Sequence, residues 1–225
     1  MRKLISKKLV IIAAVFVVAS GIAISALALS QRRRLAPPTA STKDPRTLEE
    51  KAKRGGGKII ANLDFNKGAQ QPSLAKMVAT SESIVVATTD SNKGRLSEDG
   101  KVIRTFYRVR VEEVLKGHLQ PGGNITVSLP GGKVGFPDGS TAEVQTLWFK
   151  KMLNHKRYLL FLTGKPNAET FTTTGGPQGV FEVPADGSGL VSHSGLNNDV
   201  MRQYAGRSIQ SFVKDIKQEL GGQPK

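Results

Sequence analysis

Few side chains in this sequence are of the types that activate nucleophiles or hold metals. It has three histidines, at positions 118, 155 and 193, and no cysteine. Without cysteine there is no thiol nucleophile, thiolate metal site, disulfide framework or lipid-modified Cys. None of the histidines belongs to H-E-x-x-H or to another spacing that closes a metal site. His118 falls in the turn sequence KGHLQPGG and His155 in NHKR, where solvated turn positions account for both. His193 stands between Ser192 and Ser194, but a sequence neighbour cannot turn its ring onto the adjacent hydroxyl as a triad requires. No G-x-S-x-G occurs, so the strained nucleophile elbow is missing. Gly55-Gly56-Gly57-Lys58 suggests a phosphate loop only superficially, because Ala52 occupies the first glycine position and Ile59 replaces the magnesium-binding hydroxyl. Glu112 and Glu113 are adjacent and, unless a bulge intervenes, point to opposite strand faces, a poor acid/base pair. The residues therefore assign no catalytic, cofactor-binding or metal-binding position. A non-enzymatic protein is expected, with a hydrolase assembled from scattered residues as the alternative class.

One segment concentrates aromatic and basic groups: WFKKMLNHKR, Trp148 to Arg157. Trp148, Lys150, Lys151, Lys156 and Arg157 are its candidate ligand-binding residues, because an aromatic face stacks while ammonium and guanidinium groups neutralise a polyanion. The competing reading is a solvated hairpin whose Trp148 and Phe149 cap the core.

Short strands must position these groups. From Pro72, SLAKMVATSES reads as a short helix with Ser73 as N-cap. IVVATT (84–89) is β-branched and short, as a buried strand is. Ser91 to Lys101 is polar, with Asp99-Gly100 as a turn signal. In TFYRVRVEEVLKG (105–117), Tyr107, Val109 and Val111 alternate with Arg108, Arg110 and Glu112, which defines a buried and a wet face. The apolar positions then slip to Val114 and Leu115, the mark of a β-bulge. NITVSL (124–129) alternates again, EVQTLWF (143–149) is weaker, and YLLFL (158–162) is a continuous run suited to a central strand. ETFTT and GVFEV follow, with Gly-rich turns between the runs. Many short strands of this kind indicate a mainly β domain, a small barrel or alternatively a β-sandwich, over residues 72–196. Residues 197–225 end in an amphipathic helix packing on it, with Ser208 as N-cap and Gly221 at C′.

The formal net charge of +15 does not fall evenly. Residues 1–34 carry seven Lys/Arg and no acid, while residues 72–196 carry fourteen against eleven acids. A basic total is thus not evidence of a basic binding face, and nucleic acid is not the expected partner. The basic N-terminus precedes Leu9–Leu29, a run without charge long enough as a helix, at ~1.5 Å per residue, to span a bilayer. Arg32, Arg33 and Arg34 follow it, and the charge before the run orients the remainder outside the cytoplasm. Residues 1–29 read as a signal-anchor of the cell membrane, or as a signal peptide cleaved at Ala28 with a secreted or periplasmic product. Residues 30–71, rich in Pro, Gly and charge, read as a flexible basic linker. Within it a helix over Leu48–Arg54 and an edge strand over Lys58–Phe65 are the candidate elements.

The order IVVATT, FYRVRVEEVLKG, NITV, RYLLFL resembles the netrin-like domain of the tissue inhibitors of metalloproteinases. There a Y-x-V-x-V-x-x-V-x-K-G strand precedes a YLLF strand in a five-stranded OB-type barrel. With PGG after NITVSL and GGPQGVFEV near the end, the chain also looks like a class of uncharacterised bacterial envelope proteins. The likeness spans roughly residues 74–191 and implies an OB-like barrel of five to six strands. Those inhibitors chelate zinc through an N-terminal cysteine, and this chain has none, so their mechanism does not carry over. The combined expectation is a membrane-tethered extracytoplasmic interaction module whose partner is an envelope protein or polymer. A polyanion-binding OB domain is an alternative.

Overall fold

In a computed structural model of the protein, residues 45–63, 71–146, 148–164, 168–194 and 199–222 are described. All lie in one of the chain's two units, residues 39–225. The apolar run 9–29 lies outside the described residues, among which no helix is long and apolar enough to cross a membrane. In chain order the elements are α1 (Leu48–Arg54), β1 (Lys58–Leu63), α2 (Leu74–Thr80), β2 (Ser83–Leu96) and β3 (Ile103–Lys116). Then come β4 (Asn124–Pro130), β5 (Gly132–Gly135), β6 (Thr141–Thr146), β7 (Arg157–Thr163) and β8 (Thr170–Thr173). A 3-10 turn (Gly176–Gly179), β9 (Val180–Glu182), β10 (Val191–Ser192), α3 (Asp199–Tyr204) and α4 (Ile209–Gly221) complete the chain. The fold is mainly β, 43% strand against 21% helix, with two sheets in an arrangement compatible with a sandwich.

The larger sheet has the order β10-β9-β7-β2-β3-β4-β8, and β8 also pairs with β7. Pairing therefore runs from β7 through β2, β3, β4 and β8 back to β7. Every step is antiparallel except β4 with β8, which is parallel. The continuous apolar run of β7 follows from two buried faces: Tyr158, Leu160 and Leu162 join one core cluster with Val109, Val127 and Phe171. Leu159 and Phe161 join another with α2 (Met77, Val78) and α4 (Phe212, Ile216). The C-terminal helix thus packs on the sheet through Phe212 and Ile216, and Ser208 caps it by accepting from the Ser211 amide. The helix continues two residues past expectation: Gly221 is its last residue and Gly222 caps it without a left-handed turn.

The slip after Glu112 is a bulge. Val86 pairs with Glu113 and Ala87 with Val111, leaving Glu112 as the extra residue. The expected polar loop from Ser91 is instead strand as far as Leu96, because Ser91–Leu96 pairs residue by residue with Ile103–Arg108 of β3. Its side chains are polar because this half of β2 is exposed on one side, and only the turn at Asp99-Gly100 is loop.

The smaller sheet, order β1-β6-β5, is a separate layer, and the helix over Leu48–Arg54 and the edge strand from Lys58 that the sequence offers within the linker both form. Residues 48–63, within the stretch expected to be flexible linker, form α1 and β1 and bury Leu48, Ala52, Ile59 and Ala61 with Ile103, Ala142 and Val144. Thr47 caps α1 in a reciprocal capping box with Glu50. β1 pairs with β6 in parallel, from Lys58 opposite Thr141 to Leu63 opposite Thr146. Where β4 passes into β5 the backbone runs close to β3, and the Thr105 hydroxyl donates to the Gly131 carbonyl at 2.7 Å. A Cβ at Gly132, whose φ is +126°, would meet that hydroxyl at 2.2 Å, so the approach depends on glycine.

Candidate binding surface

Trp148–Arg157 is the connection from β6 to β7, which belong to different sheets, and is not a simple hairpin. Its course is fixed by what it touches. Phe149 is buried and forms a bridge with Ser194. The Lys150 amide donates to the His193 carbonyl at 2.9 Å. Met152 is buried, and the Leu153 amide donates to the Tyr158 hydroxyl at 2.8 Å. Burial pushes the Tyr158 phenol up to about 12. His155 adopts a left-handed turn conformation, φ 61°, and its amide donates to the Thr89 carbonyl. Of the two aromatics expected to cap the core, Phe149 does so, whereas Trp148 remains 38% exposed.

The segment's cations are mostly spoken for. Lys151 lies 3.7 Å from Glu143, Lys156 3.9 Å from Glu182, and Arg157 2.7 Å from Glu112. Burial opposes ionisation of Glu112, but hydrogen bonds from Thr88 and Arg157 outweigh it and hold the carboxyl below its ordinary value. Lys150 is the only one of the four without a carboxylate partner among the described residues. Lys151 overhangs a cleft of about 290 Å³ between the two sheets, floored by Thr105, Tyr107 and Phe149. A second cavity of about 340 Å³ shares Thr105, Tyr107, Gly132 and Lys151 and continues to Asn92 and Asn154. Trp148, Lys156 and Arg157 line neither of these two cavities. The five candidate residues therefore do not converge on one cavity.

His193 is buried, with Nδ1 2.8 Å from the Lys150 carbonyl oxygen and Nε2 3.3 Å from a Glu182 carboxylate oxygen. Both ring nitrogens are thus taken up by a carbonyl and a carboxylate rather than by a hydroxyl nucleophile. The ring packs edge-on against Tyr158. His118 is exposed, in a turn. Among the described residues no three His, Asp or Glu converge as metal ligands.

Sequence reasoning missed a second basic surface, on the wet side of β3. Arg104, Phe106, Arg108 and Arg110 share that side, and the exposed Lys93 and Arg95 of β2 stand beside them across the hairpin. The signal is present in the alternating FYRVRV, whose polar half marks this surface as its apolar half marks the core. No protein-family model matches the chain, and no curated protein matches it.

Proposed function

We infer that the chain is a non-enzymatic binding module: a netrin-like, OB-type domain carried outside the cytoplasm on a membrane tether formed by residues 9–29. The observation that carries this reading is the returning pairing order β7-β2-β3-β4-β8-β7 with a single parallel pair. Up-and-down winding makes every pair antiparallel, so one parallel pair at the return calls for the Greek-key connection of OB-type barrels. Such barrels serve chiefly as platforms that present one strand face and its loops to an oligomeric ligand. The uncharged run Leu9–Leu29 between basic clusters supports the tether.

The test is affinity capture from native envelope by the full chain, with the Val109→Asp variant as an unfolded control. A component retained by the wild type, released by excess free chain and not retained by the variant supports the module reading. Retention indistinguishable between the two overturns it. The tether is tested by cell fractionation: the full 24.2 kDa chain stays in membranes after a high-salt wash, whereas a soluble chain beginning at Leu29 would show cleavage at Ala28.

A further inference from the structure

The wet side of the β2–β3 hairpin holds an unusual density of unpaired positive charge. Arg104, Phe106, Arg108 and Arg110 occupy alternate positions of β3, so their side chains stand about 6.8 Å apart along one face. Register places Lys93 opposite Phe106, Arg95 opposite Arg104 and Ser91 opposite Arg108. On the other flank Ser128 lies opposite Phe106 and Thr126 opposite Arg108. None of Lys93, Arg95, Arg104 and Arg108 has a carboxylate partner among the described residues. This contrasts with the Trp148–Arg157 segment, where three of four cations are paired.

The surface is concave. A groove of about 530 Å³ crosses it from Lys93 and Arg95, over Phe106 and Arg108, to Thr126 and Thr170. Glu169, at the β8 wall, is the only acid lining it among the described residues. Arg110 extends the row beyond the groove toward Glu112, whose carboxyl it also helps hold below its ordinary value. At the opposite end Arg104 is half-buried, and its guanidinium donates only to neutral acceptors, the Ser128 hydroxyl at 2.8 Å and the Ser128 carbonyl at 3.2 Å. Burial without an anion pushes this guanidinium below its ordinary value.

We propose that this groove binds a linear phosphodiester chain, laid across β2, β3 and β4 with its phosphates on Lys93, Arg95 and Arg108, the three cations that line it. Three observations choose that occupant. Two of the three lining cations are arginines, whose planar forks match phosphate oxygens bidentately. Register sets Arg95, Lys93 and Arg108 at successive levels along the hairpin, a repeat of charge that suits a polymer, and a groove admits a chain where a flat membrane surface would not follow it. The Arg95 guanidinium lies over the Phe106 ring, 5.1 Å from its centroid, so this face of the ring is already taken from a base that would stack on it. The recognised chemistry is therefore the phosphodiester backbone, whether from a nucleic acid or a polyol-phosphate polymer. The proposal deepens the binding-module reading and rests on it, but does not depend on the tether.

The test uses the full chain in detergent and two charge-matched triple variants. One is Lys93→Gln/Arg95→Gln/Arg108→Gln in the groove. The other is Lys76→Gln/Lys214→Gln/Lys217→Gln, at exposed helix positions outside it. All six side chains are exposed, so both variants keep the fold. The probes are oligothymidylate, an abasic phosphodiester oligomer of equal length, and polyglutamate of equal charge. The groove variant is expected to lower the slope of log affinity against log salt by about 2, at ~0.7 per lost single-strand phosphate contact, and the helix variant to leave it unchanged. Oligothymidylate and the abasic oligomer bind the wild type within about twofold of each other, since only the backbone is read. Much tighter binding of oligothymidylate would identify base recognition and overturn the backbone assignment. Equal slope losses in the two variants, or polyglutamate binding as tightly as the abasic oligomer, would also overturn the proposal. If the chain captures an envelope component specifically while both variants bind oligomer like the wild type, the phosphodiester inference falls and the binding-module reading stands.

Discussion

The buried ring of His193 faces Glu182 on one side, Nε2 to Oε2 at 3.3 Å, while its other nitrogen meets the Lys150 carbonyl at 2.8 Å. The ring ties the β6–β7 connection to β9, and Lys156 Nζ lies 3.9 Å from the same Glu182 carboxylate. Replacing His193 by Phe keeps the packing on Tyr158 but leaves the Lys150 carbonyl and Glu182 short of a donor. The expected loss is about 1–3 kcal/mol of unfolding free energy, read from the denaturant midpoint. A variant as stable as the wild type would show that the ring serves only as apolar filling.

A sharper contrast separates Val109 from its neighbour. Val109 is fully buried in the cluster between β3 and β7, whereas Arg108 is exposed. Val109→Asp is expected to cost several kcal/mol, about enough to unfold a marginal domain, while Arg108→Asp changes stability by roughly 0.5 kcal/mol or less. Circular dichroism melts of the two variants check this, and equal effects would contradict the burial pattern.

Thr89 carries the one buried side-chain hydroxyl that lacks a hydrogen-bond partner among the described residues. Its backbone is fully engaged, donating to the Lys156 carbonyl and accepting from the His155 amide. Thr89→Val, nearly isosteric, removes a desolvated polar group and is expected to stabilise by about 1 kcal/mol. A destabilised variant would mean that the hydroxyl has a bonded partner.

All three tyrosines are held above their ordinary value, first of all by burial: Tyr107 and Tyr204 are raised, and Tyr158 is pushed to about 12. Their folded pKa values exceed the unfolded ones, so the native state retains protons that the unfolded state loses from about pH 10 upward. Stability from these groups is fully present below pH ~10 and falls as pH rises toward 12. In an alkaline titration the phenolate absorbance should lag behind that of free tyrosine and then rise together with unfolding. A smooth titration centred at the ordinary value, with the fold intact, would contradict the burial of these rings.

The sequence is most legible where one residue type answers to one environment. Tyr107, Val109 and Val111 alternate because β3 has a core on one side, and the slip at Glu112 discloses the bulge. Ser73 and Ser208 mark helix starts through local capping chemistry alone. It is least legible where a distant partner decides the outcome. Nothing local to KIIANL announces that it pairs with TAEVQT, so the edge strand is legible in the sequence while its partner in the smaller sheet is not. Polar Ser91–Leu96 reads as loop because it is strand only by virtue of β3. The surroundings of the candidate segment are hidden for a related reason: WFKKMLNHKR is basic in sequence, but its carboxylate neighbours Glu112, Glu143 and Glu182 come from three other strands. The charges of the β2–β3 groove are spread over two strands and become a surface only when those strands pair.

The parallel ladder between β1 and β6 has a consequence for how the chain comes to be folded. Lys58 meets Thr141 and Leu63 meets Thr146, so the first strand must wait until roughly eighty further residues have been made before its partner exists. Pairings of such long sequence separation close late, because loop entropy must be overcome before any contact rewards it. The β2–β3 hairpin, closed by a six-residue turn between Leu96 and Ile103, can assemble long before then. Synthesis from the N-terminus therefore leaves Ile59 and Ala61 without their final neighbours for most of the chain's production, and interrupting translation before residue 141 would yield a hairpin-containing fragment with β1 unpaired. That interval, and not the finished fold, is when this strand is most open to chaperones, proteases and mispairing with other chains.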